Sequence, residues 1–347
     1  MPARASFIIG NERIAPGNRS LIDLPVAKLA NHTPVTLPVH VLHGRREGPV
    51  LFVSAAIHGD EVLGVEIIRR LLKTKSLKSL RGTLLCIPIV NAYGFLNHNR
   101  YLPDRRDLNR VFPGSSTGSL ASRLAHIFMN EIVLRADLGV DLHTGSVNRA
   151  NLPQLRSDFT DPDNLALARA FGPPLLLNAS LREGSLRAAA HAVGKRVFIY
   201  EAGEALRLDE TPVRVGVKGI LRLMKKLGML AAGSVKGSEI KPILSMASQW
   251  VRAPEGGLFK GHRANGDSVE TGDLLGMISN PYELDEVELR AGAAGLVIGR
   301  TNLAVVNQGD ALFHIARVKK PDEAGDQISQ IVDDFEADPI LDEDEIL

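Results

Sequence analysis

The sequence contains a single cysteine, Cys86, among 347 residues, and aromatic residues make up only 5% of it. One cysteine cannot form an internal disulfide, so a small fold held together by disulfide bonds is excluded. Cys86 lies in the apolar run of residues 83–90, which indicates a buried thiol. Because reduced buried thiols are typical of reducing compartments, we expect a cytoplasmic protein.

Long hydrophobic segments are also absent. No apolar run reaches the roughly 20 residues that a membrane span requires. The apolar stretch near the N-terminus is too short for a secretory signal, so we expect no membrane partner. The length of 347 residues and the hydrophobic content of 44% are typical of a globular protein with one large domain and a smaller one.

Basic residues are absent after Pro321, where eleven acidic residues lie. We therefore expect the tail, residues 321–347, to be acidic and disordered. The formal net charge of the whole chain is +1. Without the eleven acidic residues of the tail, basic residues exceed acidic ones by about 12. No aromatic–basic stripe accompanies this excess, so it favours a small anionic substrate over nucleic acid.

A strand, a turn and a helix follow one another between residues 50 and 72. The apolar run of residues 50–57 predicts a buried strand, His58-Gly-Asp-Glu61 follows directly, and Leu63, Ile67 and Leu71 lie on one face of the next helix. An imidazole and a carboxylate three residues apart can bind the same zinc ion. The alternative is a surface histidine beside acids, such as Asp60, that cap the helix.

Two later strands end in residues of the same chemical kinds. Residues 138–143 end in His143, a natural third metal ligand, and residues 196–201 deliver Glu201. In open α/β sheets, ligands bind at the carboxyl ends of the strands. Residues 96–117 form a long polar loop, rich in arginine between residues 100 and 110, and such loops are usually functional.

Strands alternate with helical patterns through residues 1–235, which predicts an α/β domain: a mixed, mostly parallel sheet with helices on both faces. Residues 243–318 instead show short strands and repeated Gly-Asp turns. This pattern resembles the all-β module of biotinyl and lipoyl carriers. A carrier needs an acceptor lysine, and residues 262–317 contain none, so we expect a structural module, with Tyr282 as a candidate for the rim of the site.

Four motifs, taken together and in this order, resemble the succinylglutamate desuccinylase/aspartoacylase family, a branch of the zinc carboxypeptidase clan. They are His58-x-x-Glu61, Asp107-Leu-Asn-Arg110, Asp141-Leu-His143 and Glu201. The resemblance covers about residues 45–317. It implies a zinc carboxypeptidase-like fold and one zinc ion per chain, bound by His58, Glu61 and His143.

The resemblance also implies roles for other residues. Glu201 is expected to be the general base and acid, with Glu204 as a weaker candidate; the alternative is that Glu201 only forms a salt bridge. An arginine is expected to stabilise the oxyanion, with Arg100 preferred over Arg105 and Arg106. The residues expected to bind the substrate are Asn109, Arg110 and Arg106, although Asn109 and Arg110 could instead only fix their loop. Asp141 and Asp60 are candidates for orienting a ligand imidazole.

The function expected from these motifs is zinc-dependent hydrolysis of the amide bond of an N-acyl amino acid or a similar small N-acylated amine. Members of the family act on N-acetylaspartate and N-succinylglutamate. A second interpretation is a zinc metallocarboxypeptidase that acts on small peptides, and a third is a non-catalytic binding or scaffold protein. The sequence leaves open whether the chain forms a homo-oligomer.

Overall fold

The computed structural model describes residues 4–146, 148–235, 237, 241–283 and 285–337. Its strands are β1 (Phe7–Ile9), β2 (Glu12–Ile14), β3 (Arg19–Lys28), β4 (Pro34–His43), β5 (Arg46–Ala55), β6 (Arg81–Ile87), β7 (Leu138–Gly145), β8 (Arg149–Ser157), β9 (Leu175–Asn178), β10 (Arg196–Glu204), β11 (Ile243–Ser245), β12 (Ser248–Arg252), β13 (Gly257–Gly261), β14 (Ser268–Val269), β15 (Leu274–Ser279), β16 (Glu286–Arg290), β17 (Gly295–Thr301), β18 (Val305–Val306) and β19 (Ala311–Ala316). Its α-helices are α1 (Leu63–Lys73), α2 (Ala92–Leu96), α3 (Leu120–Ile127), α4 (Pro162–Phe171), α5 (Leu186–Ala192), α6 (Glu210–Lys226) and α7 (Pro321–Ala337).

Most strands belong to one mixed sheet, in the order β12-β19-β17-β8-β10-β7-β5-β6-β4-β3, with β9, β11 and β14 attached at its side. The expected mixed sheet is confirmed. It is parallel at its centre, from β10 through β7 and β5 to β6. The expectation of a mostly parallel sheet is wrong outside this centre, because β3, β4, β8, β17, β19 and β12 pair antiparallel with their neighbours in that order. Short connections such as that between β3 and β4 allow only antiparallel pairing.

Helices cover both faces of the central strands, as the alternation of side chains along β5 shows. Leu51 and Val53 pack with the apolar faces of α1, α4 and α6. Phe52, which points the other way, packs with α3 and the helical turn at residues 128–133. The ring of Phe128 meets that of Phe52 edge to face at 5.7 Å. Burial on both faces explains why β5 is a continuous apolar run rather than an alternating one.

The C-terminal segment is less separate than the sequence suggested. Strands β13, β15, β16 and β18 form a small sheet of their own, with a core that includes Phe259 and Phe313. Strands β12, β17 and β19, however, extend the main sheet, and β17 pairs with β8. Within the described residues, no helix has the length and the apolar character that crossing a bilayer would take.

Helix α7 corrects the expectation of a disordered tail for residues 321–337. Ala324, Ile328, Ile331 and Phe335 are buried against the body of the protein, while Asp322, Glu323, Asp326, Asp333 and Asp334 are exposed. The Nη1 of Arg214 donates a hydrogen bond to the carbonyl oxygen of Phe335 at 3.2 Å. The apolar spacing i, i+4, i+7 is that of a helix that packs on one face. The remainder of the acidic tail, residues 338–347, lies outside the described residues.

Candidate metal and active site

The residues expected at the site lie at the carboxyl ends of three adjacent parallel strands. His58 follows β5 after Ala56, whose φ of 49° turns the chain out of the sheet. His143 belongs to β7 and Glu201 to β10, and the two are directly paired in register. The fold therefore brings together residues that are up to 143 positions apart in the chain.

Gly59 allows the turn that carries His58 and Glu61. A Cβ atom at position 59 would lie 1.9 Å from the carbonyl carbon of Gly94 and 2.1 Å from the nitrogen of Phe95. These are backbone atoms and cannot move away easily. The turn therefore packs directly on α2, and only glycine fits.

The side chains of His58, Glu61 and His143 form one buried group whose ligand atoms lie within 4.8 Å of one another. Oε1 of Glu61 lies 2.8 Å from Nδ1 of His58. Oε2 of Glu61 lies 2.8 Å from Nδ1 of His143. All three side chains are almost fully buried, with at most 5% of each residue exposed. The structure thus brings the three expected ligands together in a geometry that could hold a metal ion.

Two aspartates hold the opposite nitrogen of each imidazole. Nε2 of His143 lies 2.7 Å from Oδ2 of Asp141, and Nε2 of His58 lies 3.1 Å from Oδ1 of Asp107. A carboxylate that accepts the proton of one ring nitrogen leaves the lone pair of the other free for a metal, the usual arrangement of metal-binding histidines. Ser54 in turn donates to Oδ1 of Asp141 at 2.7 Å.

This arrangement matches the sequence expectation for Asp141 but not for Asp60. Asp60 makes no hydrogen bond to either imidazole, and its Oδ1 is buried without a partner among the described residues. Nor does it cap α1, whose N-cap is Val62 with no side-chain hydrogen bond. Sequence reasoning assigned no orienting role to Asp107, because its contact with His58 joins two segments 49 residues apart.

The charges of the site reinforce one another. Burial alone would raise the pKa of Glu61, but the neighbouring His58 and His143 hold it well below its usual range. Burial would lower the pKa of His143, yet Asp141 and Glu61 raise it well above its ordinary value. Carboxylates on both sides of an imidazole therefore favour positive charge at this point of the cavity.

Among the three candidate arginines, Arg100 lies at the site. Its Nε and Nη2 contact Oδ2 of Asp107 at 3.1 and 2.9 Å, and its Nη1 lies 3.3 Å from Oε1 of Glu61. Arg105 and Arg106 are exposed and do not line the cavity. They lie in a turn closed by the hydrogen bond from Leu102 N to the carbonyl oxygen of Arg106, at 3.2 Å. The expectation that Arg106 contacts the substrate is therefore not supported.

Asn109 and Arg110 both line the cavity. Oδ1 of Asn109 accepts a hydrogen bond from the backbone N–H of Leu186 at 2.8 Å, which ties the loop to the start of α5. Asn109 therefore does fix its loop, as the structural alternative proposed. The Nδ2 group makes no hydrogen bond to a described residue and remains available to a ligand.

Glu201 lines the same cavity and also forms a salt bridge. Its Oε2 lies 2.7 Å from Nη2 of Arg156 and accepts a hydrogen bond from Nδ2 of Asn151 at 3.0 Å. Within the described residues, no donor contacts its Oε1. Glu204 instead accepts from Asn302 at 2.8 Å and does not line the cavity, so of these two carboxylates it is Glu201 that lines the same cavity as the metal group.

The cavity has a volume of about 570 Å³ and is rich in arginine. Its arginines are Arg100, Arg110, Arg149, Arg156, Arg182, Arg187 and Arg252. Sequence reasoning singled out only the first two, because the others come from distant segments without a shared motif. The C-terminal segment does supply rim residues, but they are Trp250 and Arg252 rather than Tyr282, which is 96% exposed and away from the cavity.

The model of the succinylglutamate desuccinylase/aspartoacylase catalytic domain matches residues 47–227, just over half of the chain. The chain belongs to this family. The match includes all three residues of the metal group and Glu201, and it ends at the helix that precedes the C-terminal segment.

A curated protein and two solved structures are similar to most of the chain. The N-alpha-acetyl-L-2,4-diaminobutyric acid deacetylase of Halomonas elongata is 28% identical over 299 residues, which is 82% of this chain and 86% of the relative. The product-bound ectoine utilization protein EutE (DoeB) from Ruegeria pomeroyi has a TM-score of 0.78 and 26% identity, over 87% of this chain and 95% of its own. The succinylglutamate desuccinylase/aspartoacylase from Rhodobacter sphaeroides gives the same four values.

Proposed function

We propose that this protein is a zinc-dependent deacylase that hydrolyses the amide bond of a small N-acylated amino acid. The observation that supports it most is the buried group of His58, Glu61 and His143, with Glu201 on the neighbouring strand. Family membership and the deacetylase relative support the same reaction class.

The donor set fits zinc. Two imidazole nitrogens and one carboxylate are the ligands of many catalytic zinc sites, which keep a further position open. Zinc bound there would polarise the acyl carbonyl and lower the pKa of a water molecule. Asp107 and Asp141 would hold the two imidazoles in the orientation that directs Nδ1 toward Glu61.

The positions of Glu201 and Arg100 in the cavity support roles for both residues in amide hydrolysis. Oε1 of Glu201 would accept a proton from the attacking water and pass it to the leaving nitrogen. Arg100 is fixed through Asp107 on two of its nitrogens, so its Nη1 points to the metal group. There it would donate a hydrogen bond to the oxyanion that develops from the acyl carbonyl.

The cavity favours an anionic substrate. Arg100 and Arg156 pair with carboxylates of the site, whereas the structure shows no salt bridge from the other cavity arginines to any described residue. Arg110 and Asn109 would bind the carboxylate of the amino acid, since a guanidinium and a carboxylate form two parallel hydrogen bonds. The substrate of the Halomonas relative is named as a diamino acid. Among the described residues that line this cavity, the carboxylates are Glu61 and Glu201, and both already have partners, so we expect neutral or anionic side chains.

Trp250 and Arg252 at the rim favour this reaction over peptide hydrolysis. These residues come from β12, at the edge of the main sheet, and line the same cavity as the metal group, where we expect them to limit the room for a substrate. A small N-acylated amino acid needs less room than a peptide chain.

The test is a hydrolysis assay on the zinc-loaded protein with N-acetyl and N-succinyl amino acids that carry acidic, neutral and basic side chains, and with short peptides. We expect turnover of acylated amino acids only. We expect Glu201→Gln, which preserves the size of the side chain, to retain zinc and lose at least about 100-fold in kcat. Stoichiometric zinc without hydrolysis of any acylated amine would refute the proposal and favour a binding protein; faster hydrolysis of peptides would favour a carboxypeptidase.

A further inference from the structure

We propose that strand β17 of the C-terminal segment positions Glu201 for hydrolysis, through Asn151 and Arg156 of β8. This inference rests on the proposed function of Glu201 and deepens it. Strand β8 lies between β10, which carries Glu201, and β17. Two series of contacts run from the backbone of β17, through side chains of β8, to the carboxylate of Glu201.

The first connection runs through Asn151. Asn151 is 7% exposed, and its Nδ2 donates to Oε2 of Glu201 at 3.0 Å. Its Cα partner on β17 is Gly299. A Cβ atom at position 299 would lie 2.7 Å from Oδ1 of Asn151. The amide of Asn151 therefore keeps its place only because residue 299 has no side chain.

The second connection runs through Arg156. Nη2 of Arg156 lies 2.7 Å from Oε2 of Glu201, and its Nε donates to Oε1 of Gln154 at 3.4 Å. Gln154 is fully buried, and its Nε2 donates to the carbonyl oxygen of Ile298 at 3.4 Å. The backbone of β17 thus holds Gln154, which in turn orients the guanidinium that contacts Glu201.

Both connections end on the same oxygen of Glu201. The hydrogen bond from Asn151 and the ion pair with Arg156, both on Oε2, restrict rotation of the carboxylate and leave Oε1 as the atom that would exchange protons with the reactants. A displacement of about 1 Å at a reacting group costs on the order of 100-fold in rate. Asn151 and Arg156 are therefore positioning residues, and the C-terminal segment contributes to the reaction as well as to the rim.

Asn151 and Arg156 also line the cavity, so direct contact with the substrate is the competing explanation for both. The two explanations differ in their kinetics. Loss of a positioning residue lowers kcat and leaves KM nearly unchanged, whereas loss of a binding residue raises KM. Gly299 does not line the cavity, so Gly299→Ala acts through Asn151, and a lower kcat at nearly constant KM would assign its effect to positioning rather than to a lost contact with the substrate.

The experiment compares Gly299→Ala, Asn151→Ala, Arg156→Met and Arg156→Lys with the wild type. We expect Arg156→Met and Asn151→Ala to lose about 10- to 100-fold in kcat with KM changed less than about threefold, and zinc content and Tm to stay near wild type. We expect Gly299→Ala to lose about fivefold or more in kcat, because the added methyl group displaces Asn151. Arg156→Lys should recover part of the loss, since it restores a cation beside Glu201.

Arg182→Met is the matched control, because Arg182 lines the cavity and makes no hydrogen bond to Glu201. It should raise KM at nearly constant kcat. If Gly299→Ala is unstable, Asn151→Ala tests the same hydrogen bond without adding atoms. A raised KM with unchanged kcat in Arg156→Met, or wild-type kcat in Asn151→Ala, would overturn the inference.

The kinetics of Glu201→Gln separate the two proposals. If this variant is inactive while Asn151→Ala and Arg156→Met have wild-type kcat, only the positioning inference fails. If Glu201→Gln itself keeps wild-type turnover, the proposed function of Glu201 fails, and the positioning inference fails with it.

Discussion

Replacement of Asp141 by asparagine tests how the site holds zinc. Asp141 is 1% exposed, accepts from Nε2 of His143 at 2.7 Å and from Ser54 at 2.7 Å. Asparagine has the same size and can keep one hydrogen bond, but it removes the charge behind the imidazole. Loss of such a partner typically weakens metal binding 10- to 100-fold, or about 1.4–2.7 kcal/mol. Because 2.7 Å is short for a charge-assisted bond, we expect the upper half of this range.

The assay measures zinc affinity by competition with a chelator at pH 7, for the wild type and for Asp141→Asn. Asp60→Asn is the matched control: Asp60 adjoins Glu61 in sequence and makes no hydrogen bond to either imidazole, so zinc affinity should change less than about threefold. Saturating zinc should restore most of the activity of Asp141→Asn, since its ligands are intact. Equal affinity in Asp141→Asn and wild type would refute the role of Asp141, and equal losses in both variants would attribute the effect to net charge alone.

Three further predictions concern the fold around the site. Gly59→Ala should abolish zinc binding and activity, because its Cβ would overlap backbone atoms of Gly94; zinc content is the measurement. The hydrogen bonds of Arg70 to Glu210 lower the pKa of Glu210 to about 2, so its stabilising contribution is present above its ordinary pKa and lost as the pH falls towards 2. Since Glu210 is 47% exposed, Glu210→Gln should cost at most about 1 kcal/mol at pH 7 and nothing near pH 2, in urea titrations. Phe335→Ala should lower the free energy of unfolding by about 3 kcal/mol, since the ring is buried. The same urea titrations measure this loss, and an unchanged free energy would show that α7 does not pack against the body in solution.

The metal group could be predicted because each of its residues ends a local pattern. His58 and Glu61 follow an apolar strand and precede an amphipathic helix, and His143 ends another apolar strand. Parallel strands place their carboxyl ends at one edge of the sheet, so no long-range contact had to be known. The motif order then identified the family, which implied the role of Glu201.

The remaining features depend on contacts between distant segments. Nothing in the local sequence pairs β17 with β8, or brings Arg252 to a cavity that begins at His58. The acidic composition of residues 321–337 predicts disorder, whereas the spacing of the apolar residues in the same segment is that of an amphipathic helix. Arg106 shows that a charged residue of this loop does not have to face the cavity. The turn between Leu102 and Arg106 leaves the side chain of Arg106 exposed to solvent.

The origin of the cavity walls has a consequence for how substrate range can change. The three residues of the candidate metal group come from strand ends and a tight glycine turn, whereas Arg182, Trp250 and Arg252 come from a loop and a strand at the sheet edge. Substitutions in this outer wall alter charge and shape without disturbing the paired strands beneath. Under the proposed function, such substitutions would change the amino acid that is released and keep the reaction, which makes Arg182, Trp250 and Arg252 the positions to vary when a new substrate is sought.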